Sequence, residues 1–129
     1  MTAGKSEGAQ AFRWEDLPRE QVRPGVSRAG FRGNQAMMVM NWLEPGMEVR
    51  PHSHPEEQLV MVVKGRMRFY IGDETVDVEE GGIVRIPPNV VHCGEVLGDE
   101  TVLNLDVFSP LRQDYLHLVT YQKDSFEAA

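Results

Sequence analysis

Short apolar runs rich in β-branched and aromatic residues recur along most of the chain, and glycine or proline separates them at fairly even intervals. Runs of this length and composition are typical of β-strands in an antiparallel sheet. No segment shows a convincing helical period of apolar residues. The predicted strands are about Ala36–Leu43, Gln58–Val63, Arg66–Ile71, Glu74–Val78, Ile83–Ile86, His92–Val96 and Thr101–Phe108.

The spacing of these strands also predicts how they are arranged. Gly72 and Asp73 are a good signal for a tight turn between two of them. A set of short antiparallel strands can close as a small β-barrel or double-sheet jelly roll, because closure removes exposed sheet edges. At 129 residues the chain is expected to be one all-β domain, with its core at about residues 31–116.

The two ends differ from this core. Residues 1–10 are small and polar and are expected to be flexible, and residues 123–129 are expected to form a frayed tail. The methionine-rich stretch from Met37 to Trp42 fits a subunit interface and ordinary barrel core about equally well. Three apolar side chains near the N-terminus are expected to pack onto the barrel or onto a second subunit: Phe12, Trp14 and Leu17.

Charge and cysteine content narrow the class of protein. The formal net charge is −7 and no basic run is present, which argues against nucleic acid as a partner. The single cysteine, Cys93, excludes an intramolecular disulfide. No apolar stretch is long enough for a bilayer span or a signal peptide, so no membrane partner is expected and the expected location is cytoplasmic.

Three of the four histidines fall in two short segments. Successive side chains of an extended segment point to opposite faces, so His52 and His54 share one face and Gln58 has the same parity. Glu56 shares this parity as well, but Gln58 is the preferred ligand candidate. His92 follows a turn of two prolines and an asparagine, and it is expected to supply one more nitrogen ligand from a neighbouring strand.

Three imidazoles and one oxygen donor form a common inventory for a catalytic transition-metal site with an open position for water or substrate. The sequence therefore predicts one divalent transition metal ion, and Zn, Ni, Fe, Mn and Cu all remain open as its identity. His117 lies outside both segments and is expected to face solvent or to pack. The expected ligands are His52, His54, Gln58 and His92.

The last predicted strand carries polar groups on one face. Asn104, Asp106 and Phe108 have the same parity, so two polar side chains lie beside a ring. A carboxylate that faces a core is costly unless it is hydrogen-bonded, paired or hydrated. Asp106 is therefore expected to face a polar cavity that contains the metal.

The two histidine segments resemble the paired motifs of the cupin family. Gln58 departs from the pattern by replacing a glutamate, and Asn89 by replacing a glycine, although asparagine tolerates a left-handed turn better than most residues. The resemblance implies a double-stranded β-helix of the jelly-roll type, and commonly a homodimer. The residues at the places of the two motifs are Gly46, His52, His54, Gln58 and Gly65, then Gly81, Pro87, Asn89 and His92.

The end of the last strand resembles one group within that family, the small single-domain cupins of the KdgF type, which act in pectin degradation. Asp106, Phe108 and Arg112 match the residues that line the pocket of that group. The resemblance implies linearisation of unsaturated uronates, with Asp106 moving a proton, Arg112 holding an anionic oxygen and Phe108 packing on the sugar ring. Two alternatives stay open: an Asp106 that only orients a histidine ligand, and an Arg112 in a surface ion pair.

Three classes of function remain after this reasoning. The first is a metal-dependent isomerase or lyase-type enzyme acting on a small anionic sugar acid or carbonyl compound. The second is a metal-dependent dioxygenase, which three histidines also permit. The third is a cupin that binds a small molecule without catalysis. The neutral amide of Gln58 favours the first class, because it leaves the ion its full charge for Lewis-acid chemistry on an anionic substrate.

Overall fold

The computed structural model describes residues 8–122, and within this range it contains nine strands and two 3₁₀-helical segments. The helical segments cover Trp14–Asp16 and Gln113–Gln122. The flexible ends expected from the sequence lie outside the described residues, apart from residues 8–10. The strands are β1 (Glu20–Arg23), β2 (Val26–Arg32), β3 (Met37–Leu43), β4 (Glu57–Lys64), β5 (Arg66–Ile71), β6 (Glu74–Val78), β7 (Ile83–Ile86), β8 (His92–Leu97) and β9 (Val102–Ser109).

The strands form two antiparallel sheets. The larger sheet has the order β1-β2-β3-β9-β4-β7, and the smaller has the order β6-β5-β8. Because side chains alternate between the two faces of a strand, each sheet presents one apolar face to the interior. Val60 and Val62 of β4 pack in one core cluster with Met67 and Phe69 of β5. The predicted all-β, double-sheet fold is confirmed.

The seven predicted strands are all present, as β3 to β9. β5, β6 and β7 have the predicted bounds, and the other predicted strands begin and end within one residue of the expectation. The turn at Gly72 and Asp73 is also confirmed, since Ile71 pairs with Glu74 across it.

Strands β1 and β2 and the C-terminal helical segment are absent from the sequence prediction. In β2, Arg28 and Gly30 pair across to Asn41 and Val39, so polar and small residues interrupt the apolar alternation on that face. The segment Gln113–Gln122 is 3₁₀ in type and has a non-helical residue inside it, so its side chains do not repeat every 3.6 residues.

The stretch from Met37 to Trp42 forms β3, which lies between β2 and β9 in the larger sheet. Met37 is fully buried, and Met40 is 7% exposed. Met37 packs in a second core cluster with Phe108 and Leu118. This stretch therefore contributes largely to packing within the chain, and the homodimer expected from the sequence stays a prediction.

The C-terminal helical segment closes over β2. Tyr121 donates its hydroxyl to the carbonyl oxygen of Gly30 at 2.6 Å. The side chain of Gln122 bonds to both the N–H and the carbonyl of Arg32, at 3.0 and 3.1 Å. Leu118 and Val119 are buried here, so the described core extends past residue 116. No helix in the described range is long and apolar enough to cross a membrane.

The residues before β1 pack onto the same end of the protein. The ring of Phe12 makes edge contacts with Phe31 and Tyr121, with centroids 6.1 and 5.3 Å apart. Leu17 is buried, and the guanidinium of Arg19 lies 3.5 Å from the ring centroid of Trp42. The sequence predicts that this segment packs onto the barrel or onto a second subunit, and the structure shows that it contacts the barrel.

Candidate metal centre

Backbone hydrogen bonds bring the two histidine segments together. His52 and His92 form an isolated antiparallel bridge, in which each N–H donates to the other residue's carbonyl at 3.0 and 2.9 Å. The N–H of Asn89 donates to the carbonyl of His54 at 2.8 Å. Asn89 has a φ of 65°, the left-handed conformation expected from the sequence, and this turn leads the chain back toward His92. These backbone hydrogen bonds fix the two histidine segments to each other.

The three imidazoles converge. One ring nitrogen from each of His52, His54 and His92 can be chosen so that all three atoms lie within 4.8 Å of one another. The ring centroids of His52 and His92 are 4.4 Å apart, and those of His54 and His92 are 4.9 Å apart. His54 and His92 are buried, whereas His52 is exposed. This arrangement leaves one side of the cluster open to an incoming molecule.

Each imidazole is oriented by a backbone carbonyl two residues away. In all three rings the Nδ1 atom lies at hydrogen-bond distance from that carbonyl, so the neutral tautomer that donates from Nδ1 leaves the Nε2 lone pair free. This is the tautomer that a metal ligand needs. The carbonyls belong to Arg50, Glu56 and Val90, at 3.1, 3.0 and 2.8 Å from His52, His54 and His92 respectively.

Burial also keeps two of the three imidazoles neutral. It lowers the pKa of His92 to about 4, against the raising effect of the hydrogen bond to Val90, and it lowers the pKa of His52 as well. The neighbouring charge of Arg112 lowers both pKa values further. The imidazoles of His52 and His92 are therefore uncharged near neutral pH, as metal coordination requires.

Gln58 completes a donor set around the histidines. Its Oε1 lies 3.0 Å from Nε2 of His54, and its Nε2 donates to Oδ1 of Asp106 at 2.9 Å. With His54 in the tautomer described above, two acceptor atoms face each other, and a cation between them would resolve this contact. Nε2 of His92 is buried and has no hydrogen-bond partner within residues 8–122. Three imidazole nitrogens and an amide oxygen therefore fit a divalent transition metal ion, whose identity the donor set leaves open.

Asp106 lies behind Gln58 and is held by three amides. Its carboxylate accepts hydrogen bonds from Gln58, from Asn104 at 2.9 Å and from Asn41 at 3.0 Å. Burial raises the pKa of Asp106 to about 6, although all three hydrogen bonds act to lower it. Within residues 8–122, Asp106 forms no hydrogen bond to His52, His54 or His92, and the side chain that it orients is Gln58.

Arg112 is a buried arginine that forms an ion pair with an exposed carboxylate, that of Asp114. It is 7% exposed and bonds to Asp114 through Nε and Nη2, at 3.2 and 2.6 Å. Its guanidinium carbon lies 3.8 Å from the ring centroid of Tyr115 and 5.0 Å from that of Phe108. Nη1 is buried without a hydrogen-bond partner among the described residues. One donor of Arg112 is therefore left for a ligand.

Phe108 lines the cavity beside the metal cluster, and its expected contact with a sugar ring stays a prediction. Phe108 is 2% exposed, and its ring packs edge-on against His54 and Tyr115, so it supports the metal cluster from the core side. Glu56 lies with Oε1 3.6 Å from Nδ1 of His54, on the side of the ring away from Gln58. His117 is exposed and pairs with Glu20 at 3.0 Å, as expected for a residue outside the site.

Most residues of the site line one cavity of about 150 Å³, the volume of an engineered cavity that accommodates benzene. It has room for one small organic acid. The cavity brings together His52, His92, Gln58, Asp106 and Arg112. It also includes residues that sequence reasoning missed. Arg23 and Arg28 were missed because β1 and β2 were absent from the prediction; the others are Asn41 in β3, Arg50 before the first histidine segment and Tyr115 in the C-terminal segment. No local signal indicates Arg28, because Arg28 and Gly30 interrupt the apolar alternation of β2.

Comparisons with known proteins agree with this description. Residues 41–108 match a family model described as a cupin domain. An uncharacterized protein of Streptomyces coelicolor is 28% identical over 102 residues, which cover 78% of this chain and 96% of that protein. A Bacillus subtilis protein named H2HPP isomerase is 31% identical over 85 residues, 64% of this chain and 36% of the isomerase. The chain thus spans about a third of the isomerase.

A solved structure extends the likeness to the fold. KdgF from Halomonas sp. superposes with a TM-score of 0.75 at 24% sequence identity, over 83% of this chain and 98% of KdgF. The resemblance in fold to cupins of this type, expected from the motifs, is confirmed.

Proposed function

This chain belongs to the cupin family, and on that premise we propose that it is a metal-dependent isomerase of a small anionic sugar acid or carbonyl compound. The observation that carries the proposal is the position of Asp106. This carboxylate is fixed by the amide of Gln58 and lines the same cavity as His52 and His92. A proton-accepting group and a set of metal ligands therefore face one bound molecule.

The donor set suits an electrophilic site. A divalent ion held by His52, His54, His92 and Gln58 would supply a Lewis acid that stabilises negative charge developing on a substrate oxygen. All four ligands are neutral, so they leave the ion's charge undiminished. The ends of the Gln58 amide are assigned by its neighbours, because Asp106 accepts from the nitrogen and the oxygen is left to face His54.

The unpaired donor of Arg112 favours an anionic substrate. Its Nη1 is buried without a partner in the described range, and a buried guanidinium donor that stays unpaired is costly. A substrate carboxylate would accept from this donor in a charge-assisted hydrogen bond. Asp114 and the Tyr115 ring hold the guanidinium in place for that contact.

The opening of a 4,5-unsaturated uronate is a reaction that these groups can perform. The anomeric hydroxyl loses its proton, the ring carbon–oxygen bond breaks to give an aldehyde and an enol, and protonation of carbon 4 turns the enol into a ketone. The conversion is an isomerisation, so no co-reactant is needed. Asp106 would accept the first proton and return one, while Arg112 holds the substrate carboxylate.

Similarity to a named isomerase supports the reaction class and not the substrate. The Bacillus subtilis relative is named H2HPP isomerase, and this chain corresponds to 36% of its length. A cytoplasmic location and a homodimer remain part of the proposal.

The test is turnover of an unsaturated uronate by the metal-loaded protein, followed by the loss of enol-ether absorbance with an oxygen electrode in the same cell. We expect absorbance to fall without oxygen uptake, and Asp106→Asn to abolish most of the rate. His117→Ala serves as a matched control, because His117 is exposed and pairs with Glu20 away from the cavity.

Two other outcomes identify the alternative functions. Oxygen uptake in proportion to substrate loss would assign the protein to the dioxygenases. Binding of the uronate without turnover, equal in wild type and Asp106→Asn, would indicate a cupin that only binds a small molecule.

A further inference from the structure

The cavity contains more guanidinium groups than the contact to one substrate carboxylate requires. Arg23 ends β1, Arg28 lies in β2, and Arg50 precedes the first histidine segment; all three line the cavity. We propose that these three residues, the N-terminal arginine group, bind a second anionic group, so that the preferred ligand of the cavity is a small dianion with one anionic group more than the uronate considered above. This inference rests on the proposed function, because it names the substrate class of the same cavity.

Arg23 carries an unused donor. Its Nη2 donates to the carbonyl of Glu48 at 3.1 Å, which fixes the direction of the guanidinium. Its Nε is buried and has no hydrogen-bond partner among residues 8–122. A buried N–H of a charged group that loses water without gaining a partner is destabilising. An oxyanion in the cavity would supply the missing acceptor.

The positive charges of the N-terminal arginine group repel one another, and this repulsion favours the binding of an anion. Burial lowers the pKa of Arg23, and the neighbouring charges of Arg50 and Arg28 lower it further, against the raising effect of Glu48. Holding cationic groups this close is costly unless a negative charge lies among them. A ligand anion would offset that repulsion.

The acidic partners of these arginines lie outside the cavity lining. Arg28 bonds to Glu20 at 2.8 Å and Arg50 bonds to Glu48 at 2.6 Å, but neither glutamate lines the cavity. Asp106 is the only carboxylate among the described lining residues, against four arginines. A chain with a formal net charge of −7 thus presents a cavity rich in positive charge.

The N-terminal arginine group and Arg112 provide separate donors. The guanidinium carbons of Arg28 and Arg112 lie 4.4 and 3.8 Å from the ring centroid of Tyr115, so this ring contacts both. The N-terminal arginine group offers one unpaired buried donor, Nε of Arg23, and Arg112 offers another, Nη1. A ligand with two anionic groups could satisfy both donors, whereas a single carboxylate bound to Arg112 would leave Nε of Arg23 unpaired.

The test is calorimetric titration of the zinc-loaded protein with three sugar acids of the same carbon number. Gluconate carries one carboxylate, glucarate carries a second carboxylate at the other end, and 6-phosphogluconate carries a phosphate there. We expect glucarate, 6-phosphogluconate or both to bind at least about tenfold more tightly than gluconate. In Arg23→Gln this preference should fall to about threefold or less, because glucarate and 6-phosphogluconate lose more affinity than gluconate does.

Several variants protect the test from a folding artefact. Arg28→Gln should also reduce the preference, and Arg23→Lys should restore it in part, because lysine keeps the charge but not the fork of donors. Arg85→Gln is the matched control, since Arg85 is exposed, pairs with Glu57 and does not line the cavity. It removes the same charge and should leave the preference intact. Thermal melting of each variant verifies that it is folded.

The inference is overturned if the three acids bind wild type equally, if none of them binds, or if Arg23→Gln and Arg28→Gln both keep the full preference. The test distinguishes failure of the proposed isomerase activity from failure of the second anion-binding subsite. A dianion preference without uronate turnover would remove the isomerase and keep the second subsite. Uronate turnover with no dianion preference would keep the isomerase and remove the subsite.

Discussion

The side-chain nitrogen of Gln58 donates to Oδ1 of Asp106 at 2.9 Å, and this one hydrogen bond determines which end of the amide faces the histidines. Because the nitrogen is occupied by the carboxylate, Oε1 lies 3.0 Å from Nε2 of His54. A ligand of the metal centre and the proposed proton acceptor are therefore directly coupled.

Replacing Gln58 by glutamate tests this coupling. Gln58→Glu would place a second carboxylate against Asp106, and two carboxyl groups this close cannot both be ionised easily. The ligand set would also gain negative charge, which makes a bound ion a weaker Lewis acid. We expect metal content to be retained and kcat to fall by about tenfold or more. The control is Gln113→Glu, the same change at an exposed position; equal kcat in Gln58→Glu and wild type would place Gln58 outside the ligand set.

Asp106→Asn should act on rate more than on substrate affinity. An asparagine keeps the shape of the side chain, but it cannot take up the proton and it turns an NH₂ group toward amide donors from Gln58, Asn104 and Asn41. We expect kcat to fall by about 10² to 10⁴ with KM changed much less. Steady-state kinetics on the unsaturated uronate measure both constants. Asp77→Asn, at the exposed pair with Arg68, is the control, and a wild-type kcat in Asp106→Asn would refute the assigned role.

Arg112→Lys should weaken substrate capture. A lysine keeps the positive charge, but it loses the fork of donors and the flat contact with the ring of Tyr115. We therefore expect KM to rise by about tenfold while kcat stays within about threefold of wild type. The comparison variant is Arg85→Lys, at an exposed ion pair with Glu57. If KM does not change in Arg112→Lys, the unpaired Nη1 does not contact the substrate.

Gly30→Ala tests the packing of the C-terminal segment on β2. A Cβ at this position would lie 3.0 Å from Cβ of Leu118 and 3.2 Å from Cγ1 of Val119, so the segment must shift. Overpacking of this kind typically costs about 1–3 kcal/mol. In Gly33→Ala the nearest atom is the carbonyl oxygen of Ala36 at 3.7 Å, and little change is expected. Urea unfolding of the two variants measures the difference, and equal midpoints would show that Gly30 is not under this constraint.

The sequence predicts those parts of the protein where a local pattern determines the structure. β5, β6 and β7 follow from short apolar runs bounded by glycine or proline, and the left-handed conformation of Asn89 follows from its place in a turn. The convergence of His52, His54 and His92 follows from motif spacing, because family motifs carry the register of strands that are distant in sequence.

Other features depend on contacts between distant segments. Arg28 in β2 turns a polar side chain toward the cavity, which breaks the apolar alternation and hides the strand. The buried state of Arg112 depends on Tyr115 and Phe108, and neither neighbour changes the local sequence pattern around it. The link between Asp106 and Gln58 joins residues 48 positions apart, so only the folded chain reveals it.

Metal stoichiometry tests the central claim most directly. Elemental analysis should be made on purified wild type and on the double variant His52→Ala/His92→Ala, after both have been equilibrated with zinc and gel-filtered. We expect about one ion per chain in wild type and essentially none in the double variant, because two of the three imidazole donors are gone. His117→Ala, which removes an imidazole outside the cluster, should match wild type. A full equivalent of zinc in the double variant would contradict the assignment of His52 and His92 as metal ligands.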